Sequence, residues 1–204
     1  MKLRIVSPPA LVRWYYPDIT WHKDRSQPRI FLTFDDGPIP DVTPEVLKIL
    51  KKEDIKATFF CVGENIVKHP DLFEQIKAGG HHIGNHTYNH LNGSKTPEKE
   101  YLENVAQCQS LVHSHLFRPP YARISKNQLR QLKPHYEVVI ADVITYDFDQ
   151  SLSPEACYEN AIKYAKNGSI IVFHDNIKAR QNMLYALPKA IGHWKSKGFG
   201  FGLL

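Results

Sequence analysis

The sequence predicts an α/β protein built on a parallel sheet, and three observations carry that expectation. Short β-rich runs alternate with helical segments along the chain, and parallel neighbours need the crossovers that helices supply. The helical segments have legible starts and stops. Clusters of polar, chemically capable residues fall where the predicted strands end. The 204 residues suit one compact domain. At that length an open doubly wound sheet and a closed or partly closed barrel both remain compatible with the pattern.

Taken in order, the chain opens with a segment over residues 1–28 that is basic and aromatic. Residues 1–29 hold six Lys/Arg against Asp18 and Asp24, so they contribute +4 of the formal net charge of +5. Trp14, Tyr15, Tyr16 and Trp21 are expected to pack this segment across the barrel, because aromatic surface is relieved by burial. A basic arm lying beside an anionic polymer is the other reading. Strands are predicted over residues 30–34, 57–62, 82–85, 116–118, 137–143, 169–174 and 199–204. Three helices announce themselves with one device: Thr43-Pro44-Glu45, Thr96-Pro97-Glu98 and Ser153-Pro154-Glu155. In each, a hydroxyl can cap free N–H groups, proline has no donor to leave unpaired, and glutamate meets the positive end of the helix dipole. Gly79-Gly80, Gly168 and Gly198 mark stops where a left-handed residue suits glycine.

Composition excludes several classes. Hydrophobic residues make up 42% and charged residues 23%, the balance of a globular chain and not of a disordered one. The longest apolar runs, such as Ile170-Ile171-Val172-Phe173, are far too short to span a membrane. Cys61, Cys108 and Cys157 are odd in number and never form CxxC, which favours reduced structural thiols. The N-terminus has basic residues but no continuous apolar stretch of signal type, so a cytoplasmic location is expected. No zinc finger, basic helix or RNA-binding signature is present, and no nucleic-acid partner is expected.

The polar clusters point to chemistry. Thr33-Phe34-Asp35-Asp36-Gly37-Pro38 places two carboxylates side by side at a strand end. Strand geometry sends them in different directions, so one can hold a metal while the other meets substrate; a turn with solvated carboxylates is also compatible. His86-Thr87-Tyr88-Asn89-His90 spaces two imidazoles four apart, which on a helical turn would lie on one face and chelate one divalent ion. With Asp36 adding an oxygen, the set becomes two histidines and a carboxylate, which leaves positions open for water and substrate. His81 and His82, just upstream, are expected to belong to the strand.

The chain resembles the NodB-homology polysaccharide deacetylases, carbohydrate esterase family 4. Five motifs occur in order: Thr33-Phe34-Asp35-Asp36-Gly37, His86-Thr87-Tyr88-Asn89-His90, Arg118-Pro119-Pro120-Tyr121, Ile144-Thr145-Tyr146-Asp147-Phe148 and Val172-Phe173-His174. The resemblance implies a distorted (β/α) barrel of about seven parallel strands over residues 29–204. It implies Asp35 as general base, His174 as general acid oriented by Asp147, and Arg118 holding the base. Asp36, His86 and His90 would be the ligands of one divalent ion, zinc or alternatively cobalt. Backbone at Tyr121 would receive the oxyanion, with Pro120, Val172 and Phe148 at the substrate walls. The implied activity is metal-dependent removal of N-acetyl groups from an amino-sugar saccharide, a hydrolase of carbohydrate metabolism. Three departures stand out: Ile144 replaces the first aspartate and Phe148 the tryptophan of the fourth motif, and Val172 stands where leucine is usual in the fifth. Removal of O-acetyl groups, hydrolysis of small amides, and non-catalytic carbohydrate binding on a lapsed scaffold are the competing expectations.

Overall fold

A computed structural model describes residues 4–204. The first strand, β1 (Arg29–Asp35), is the centre of the sheet. Its residues alternate: Ile30, Leu32 and Phe34 face the main helix-covered core, while Phe31, Thr33 and Asp35 face the barrel interior. After α1 (Ala10–Tyr15) and β1 come α2 (Thr43–Lys52), β2 (Thr58–Cys61), α3 (Gly63–Lys68), α4 (Pro70–Ala78) and β3 (His82–Asn85). Then follow α5 (Glu98–Val112), β4 (Leu116–Phe117), a 3₁₀ turn (Pro120–Ala122), α6 (Lys126–Leu132), β5 (Glu137–Val138) and β6 (Val143–Ile144). The chain finishes with α7 (Pro154–Lys163), β7 (Ile170–His174), α8 (Arg180–Ser196) and β8 (Gly200–Phe201).

All ladders are parallel, in the order β5-β4-β3-β2-β1-β7-β6, with β8 on the lower half of β1. The single strand expected over residues 137–143 is split. Its first residues pair with β4 and its last with β7, so one stretch of chain curls the sheet back on itself. Between them Thr20 makes an isolated parallel bridge to Val139: its N–H donates to Val138 O at 2.8 Å and its carbonyl accepts from Ile140 N at 3.0 Å. The arm thus supplies the partner that neither neighbouring strand provides, which is the distortion in the barrel. Inside, Phe60, Leu116, Val139, Ile170 and Leu204 form a small apolar layer. The larger core lies between the sheet and its helices, around Phe34, Phe59, Phe173, Met183 and Trp194.

Several local expectations meet tertiary competition. Ser153 does cap α7, accepting from Ala156 N at 3.2 Å. Thr43 does not cap α2; its hydroxyl donates to Asp175 Oδ2 at 2.6 Å. Thr96 donates to Asn92 O instead of capping α5. The three cysteines are free and buried, and burial pushes the Cys108 thiol up to about 12. No helix of the described residues is long and apolar enough to cross a membrane.

The arm only partly follows its expected packing. Trp21 is buried and donates its Nε1–H to Tyr16 O, but Trp14 is 76% and Tyr15 53% exposed, with Tyr15 lying under the Lys126 ammonium. Apart from Trp21 and its neighbour Ile19, what anchors the arm is mostly polar. Buried Asp142, in the closing stretch of sheet, pairs with Arg13 at 2.7 Å and Arg25 at 2.9 Å and accepts from Ser169 at 2.5 Å. Burial opposes ionisation of Asp142, yet these donors and cations hold its carboxyl below the usual range. Nearer the N-terminus, Ile144 N donates to Val6 O at 2.8 Å and Arg4 pairs with Asp149 at 2.7 Å.

Replacing Asp142 by alanine strips two arginines and a serine of their common acceptor. The variant should lose about 1–3 kcal/mol in urea unfolding at pH 7, the range for a buried partner removed from its hydrogen bonds. Limited proteolysis should cut the arm faster. An unchanged midpoint and digestion rate would show that the arm is anchored elsewhere.

Candidate metal centre and active-site cavity

The motif residues gather at the C-terminal end of the sheet, around one cavity of about 590 Å³. Asp35 ends β1 and His174 ends β7, and these two are register partners on adjacent strands. His86 follows β3, and Arg118 follows β4 with its N–H donating to Asn85 O at 2.9 Å. Asp147 follows β6. Strand ends thus deliver every candidate, with loops adding the final few ångströms.

Asp35 and Asp36 have separate fates. The Asp35 side chain points into the barrel, where Arg118 Nη1 donates to its Oδ1 at 2.6 Å and to Thr33 Oγ1 at 2.7 Å. Arg118 is itself buried; its Nη2 donates to Ile140 O at 2.7 Å and its guanidinium lies 4.0 Å over the Phe60 ring. Burial disfavours its charge, and the Asp35 carboxylate compensates. Asp36 turns the other way, on a backbone with φ of 87°. Its Oδ1 lies 3.0 Å from His90 Nε2 and 3.5 Å from His86 Nε2. Burial would raise its carboxyl, but the two imidazoles and then His174 outweigh that and hold it well below the ordinary range.

The histidine pair differs from its expected local form. Residues 86–90 are a loop and not a helical turn, with Thr87 at φ 63° and His90 at φ 56°. These left-handed residues fold the loop so that the two rings sit 5.1 Å apart. Eight non-glycine residues of the described chain have positive φ, and six of them (Asp36, Thr87, His90, Tyr121, Ala122 and Tyr146) belong to or border this cavity. Strain of this kind persists where the surroundings over-determine it.

The donor set fits a cation. His86 Nδ1 lies 2.7 Å from the Arg118 carbonyl oxygen, which only accepts, so Nδ1 carries a proton and Nε2 is the nitrogen left to face a ligand. That nitrogen faces Asp36 Oδ1, a buried oxygen without a hydrogen-bond partner among the described residues. Asp36, His86 and His90 are the set whose ligand atoms converge within 4.8 Å. Three side chains whose ligand atoms converge in this way are what a divalent ion would join in place of the imidazole protons, and two nitrogens with one oxygen suit zinc chemistry.

Across the cavity, His174 Nδ1 meets Asp147 Oδ1 at 2.8 Å, while the His174 backbone N–H donates to Asp147 Oδ2 at 2.7 Å. Asp147 is fully buried, and Asn182 Nδ2 donates to its carbonyl at 3.1 Å. Phe148 packs edge-on against His174 with centroids 4.8 Å apart. Val172, Phe148 and Tyr121 line the cavity, and the Tyr121 hydroxyl reaches His90 Nδ1 at 3.1 Å. Pro120 does not line it; it is the buried first residue of the 3₁₀ turn, and Pro119 takes the wall position. His81 and His82 stay apart: His81 Nδ1 accepts from Ala57 N, and burial pushes it down to about 4. Sequence reasoning missed the loop after β7. Asp175 accepts from Gly37 N at 2.9 Å, and Asn176 donates to Asp36 Oδ2 at 2.5 Å. The one available signal was their adjacency to His174.

Comparison with known proteins gives a concordant picture. A family model described as polysaccharide deacetylase matches residues 22–136. A peptidoglycan-N-acetylglucosamine deacetylase of Bacillus cereus is 36% identical over 180 residues, covering 84% of this chain and 65% of the relative. A second of the same description from Bacillus cereus is 31% identical over 190 residues, covering 90% of this chain and 89% of the relative. The chain therefore spans slightly less than two thirds of the first relative and most of the second. A solved peptidoglycan N-acetylglucosamine deacetylase, in complex with 4-naphthalen-1-yl-N-oxidanyl-benzamide, superposes with a TM-score of 0.89 at 32% identity, covering 97% of this chain and 95% of that one.

The His174–Asp147 contact has a measurable consequence. Burial alone would lower the imidazole, but the Asp147 charge and hydrogen bond, with Asp36 and Asp35 behind them, raise it to about 9. Its stabilising contribution is therefore full below about pH 6.5, the unfolded value, and lost as pH rises through 9. In the metal-free protein, NMR titration should find His174 near 9. Asp147→Asn should return it toward the ordinary range of about 6.5 and destabilise the fold more at pH 6 than at pH 10. A His174 titration unchanged by Asp147→Asn would contradict the assignment.

Proposed function

The chain belongs to the polysaccharide deacetylase family, the NodB-homology group of carbohydrate esterase family 4, and on that premise we propose that it hydrolyses the N-acetyl amide of an amino-sugar saccharide. Peptidoglycan N-acetylglucosamine is the substrate that its relatives' activities favour. The observation that carries the reading is the divergence of two consecutive carboxylates. Asp35 is held by Arg118 at 2.6 Å and stands farther from the imidazoles, with Oδ2 4.0 Å from His86 Nε2, whereas Asp36 faces both at 3.0 and 3.5 Å, and the His174–Asp147 pair closes the opposite wall.

Asp36 Oδ1 and Nε2 of His86 and His90 would hold one divalent ion, with zinc the proposed metal and cobalt a substitute. When bound, the ion supplies a Lewis acid that polarises the amide carbonyl and lowers the pKa of water. The rest falls to side chains. Asp35, fixed by Arg118 through Oδ1, keeps Oδ2 to accept a proton from the attacking water. The backbone N–H at Tyr121, the position the family resemblance implies, would donate to the carbonyl oxygen as it gains charge. His174, kept protonated by Asp147, gives its proton to the departing amine nitrogen, without which the tetrahedral adduct collapses back to amide. Acetate and a free amino sugar result. Ile140, Ile144, Phe148 and Val172 give that side of the cavity an apolar wall against which an acetyl methyl and a sugar face can lie. Ile144 fills, with a hydrocarbon, the place where the family usually has an acid.

The test pairs metal content with acetate release on the same preparations. Asp35→Asn and His174→Ala should retain zinc or cobalt while kcat on N-acetylglucosamine oligomers falls about 10²–10⁴-fold. His86→Ala and His90→Ala should lose stoichiometric metal. Activity should fall on the alkaline side as His174 deprotonates, at or below its metal-free value near 9, because a nearby cation disfavours the protonated ring. Near-wild-type turnover by His174→Ala would refute the protonation step. Faster acetate release from acetylated xylan than from the N-acetyl oligomers would shift the reading to an O-acetyl esterase.

A further inference from the structure

Each of the three candidate ligands has one partner behind it. His86 leans on the Arg118 carbonyl at 2.7 Å and His90 on the Tyr121 hydroxyl at 3.1 Å. Asp36 has the Asn176 amide, whose Nδ2 donates to Oδ2 at 2.5 Å. The orientation of that amide is fixed independently, because its Oδ1 accepts from Ala179 N at 2.9 Å and only the NH₂ is left for Asp36. Asn176 sits two residues beyond His174, and the residue between them grips the same turn from below. Asp175 N donates to Asp35 O at 3.0 Å, and its carboxylate accepts from Gly37 N at 2.9 Å and Thr43 Oγ1 at 2.6 Å. A Cβ at Gly37 would lie 2.0 Å from Asp175 Oδ2, so the two loops fit without slack.

We propose that Asn176 is the positioning residue of the metal centre: it occupies Oδ2 of Asp36 and thereby turns Oδ1 alone toward the two imidazole nitrogens. This inference rests on the reading of Asp36, His86 and His90 as cation ligands. The backbone of Asp36 is already held, with Asn65 Nδ2 donating to its carbonyl at 2.8 Å, which leaves the carboxylate rotation as the remaining freedom. Asn176 removes that freedom. It does so as a neutral donor, which steadies the carboxylate without the repulsion that a lysine or arginine would add to an arriving cation. Because the same loop carries His174, one short segment sets both the proton donor and the ligand across from it.

The experiment is a cobalt(II) titration of metal-free wild type, Asn176→Ala and Asn176→Leu, read by visible absorption, with thermal unfolding of each metal-free protein alongside. The leucine variant fills the space of the amide, so it reports even where the alanine variant folds poorly. Cobalt affinity should fall about 10–100-fold in the variants, the usual cost of losing such a partner. The absorption band of the saturated variants should shift as Asp36 reorients, while the unfolding midpoint of the leucine variant stays within a few degrees of wild type. Wild-type cobalt binding with variants matching it in affinity and band would overturn the role of Asn176. A wild type that binds no cobalt would overturn the ligand assignment itself.

Discussion

Two carboxylates on consecutive residues at the end of a buried strand cannot share one environment, and the site is organised by how the chain separates them. Alternation along β1 sends Asp35 into the barrel and leaves Asp36 to turn outward on a left-handed backbone. Each anion then needs its own compensation. For Asp35 it comes from a buried arginine, Arg118, whose remaining donors go to Thr33 and to backbone carbonyls at residues 139 and 140. For Asp36 it comes from the two imidazoles at 3.0 and 3.5 Å, the same nitrogens that would share a cation with it. Arg118 serves both arrangements, since its side chain holds Asp35 and its carbonyl fixes the tautomer of His86.

The fold delivers these groups because β1, β3, β4 and β7 end at the same level and β6 leads directly into the Asp147 loop. The closing stretch, residues 137–144, is the weak place in the design, since it changes ladder partners midway. The N-terminal arm repairs it with Thr20 in the gap and with Arg13 and Arg25 on buried Asp142. Residues 4–6 continue the repair to Ile144 and Asp149, on either side of Asp147. The arm is therefore coupled through backbone to the loop that orients the proposed proton donor.

Much of this was legible beforehand. The strands were readable from short apolar runs, and residues 82–85 coincide with β3 because Gly79-Gly80 and His86 bound them on both sides. Residues of the five motifs gather around one cavity because strand ends and the loops after them deliver them there. What was not legible depended on distant partners. The expected strand at 137–143 splits because its two ends pair with different strands, β4 and β7, while Thr20, more than a hundred residues away, bridges Val139 between them. Thr43 and Thr96 looked like caps, but Asp175 and Asn92 compete for their hydroxyls. The loop at residues 86–90 looked helical by spacing, since left-handed Thr87 and His90 carry no glycine to betray them. Trp14 and Tyr15 looked like buried aromatics, and the arm is held largely by charge instead.

The central claim is that Asp36 and the two histidines form one cation site from which Asp35 is kept apart by Arg118. A crystal structure of the zinc- or cobalt-loaded protein, with anomalous scattering measured on both sides of the metal edge, tests it most directly. The account predicts a single strong peak with Asp36 Oδ1, His86 Nε2 and His90 Nε2 at about 2.0–2.2 Å and Asp35 still bonded to Arg118. A peak ligated by Asp35, or a loaded crystal with no peak between these three side chains, would contradict it.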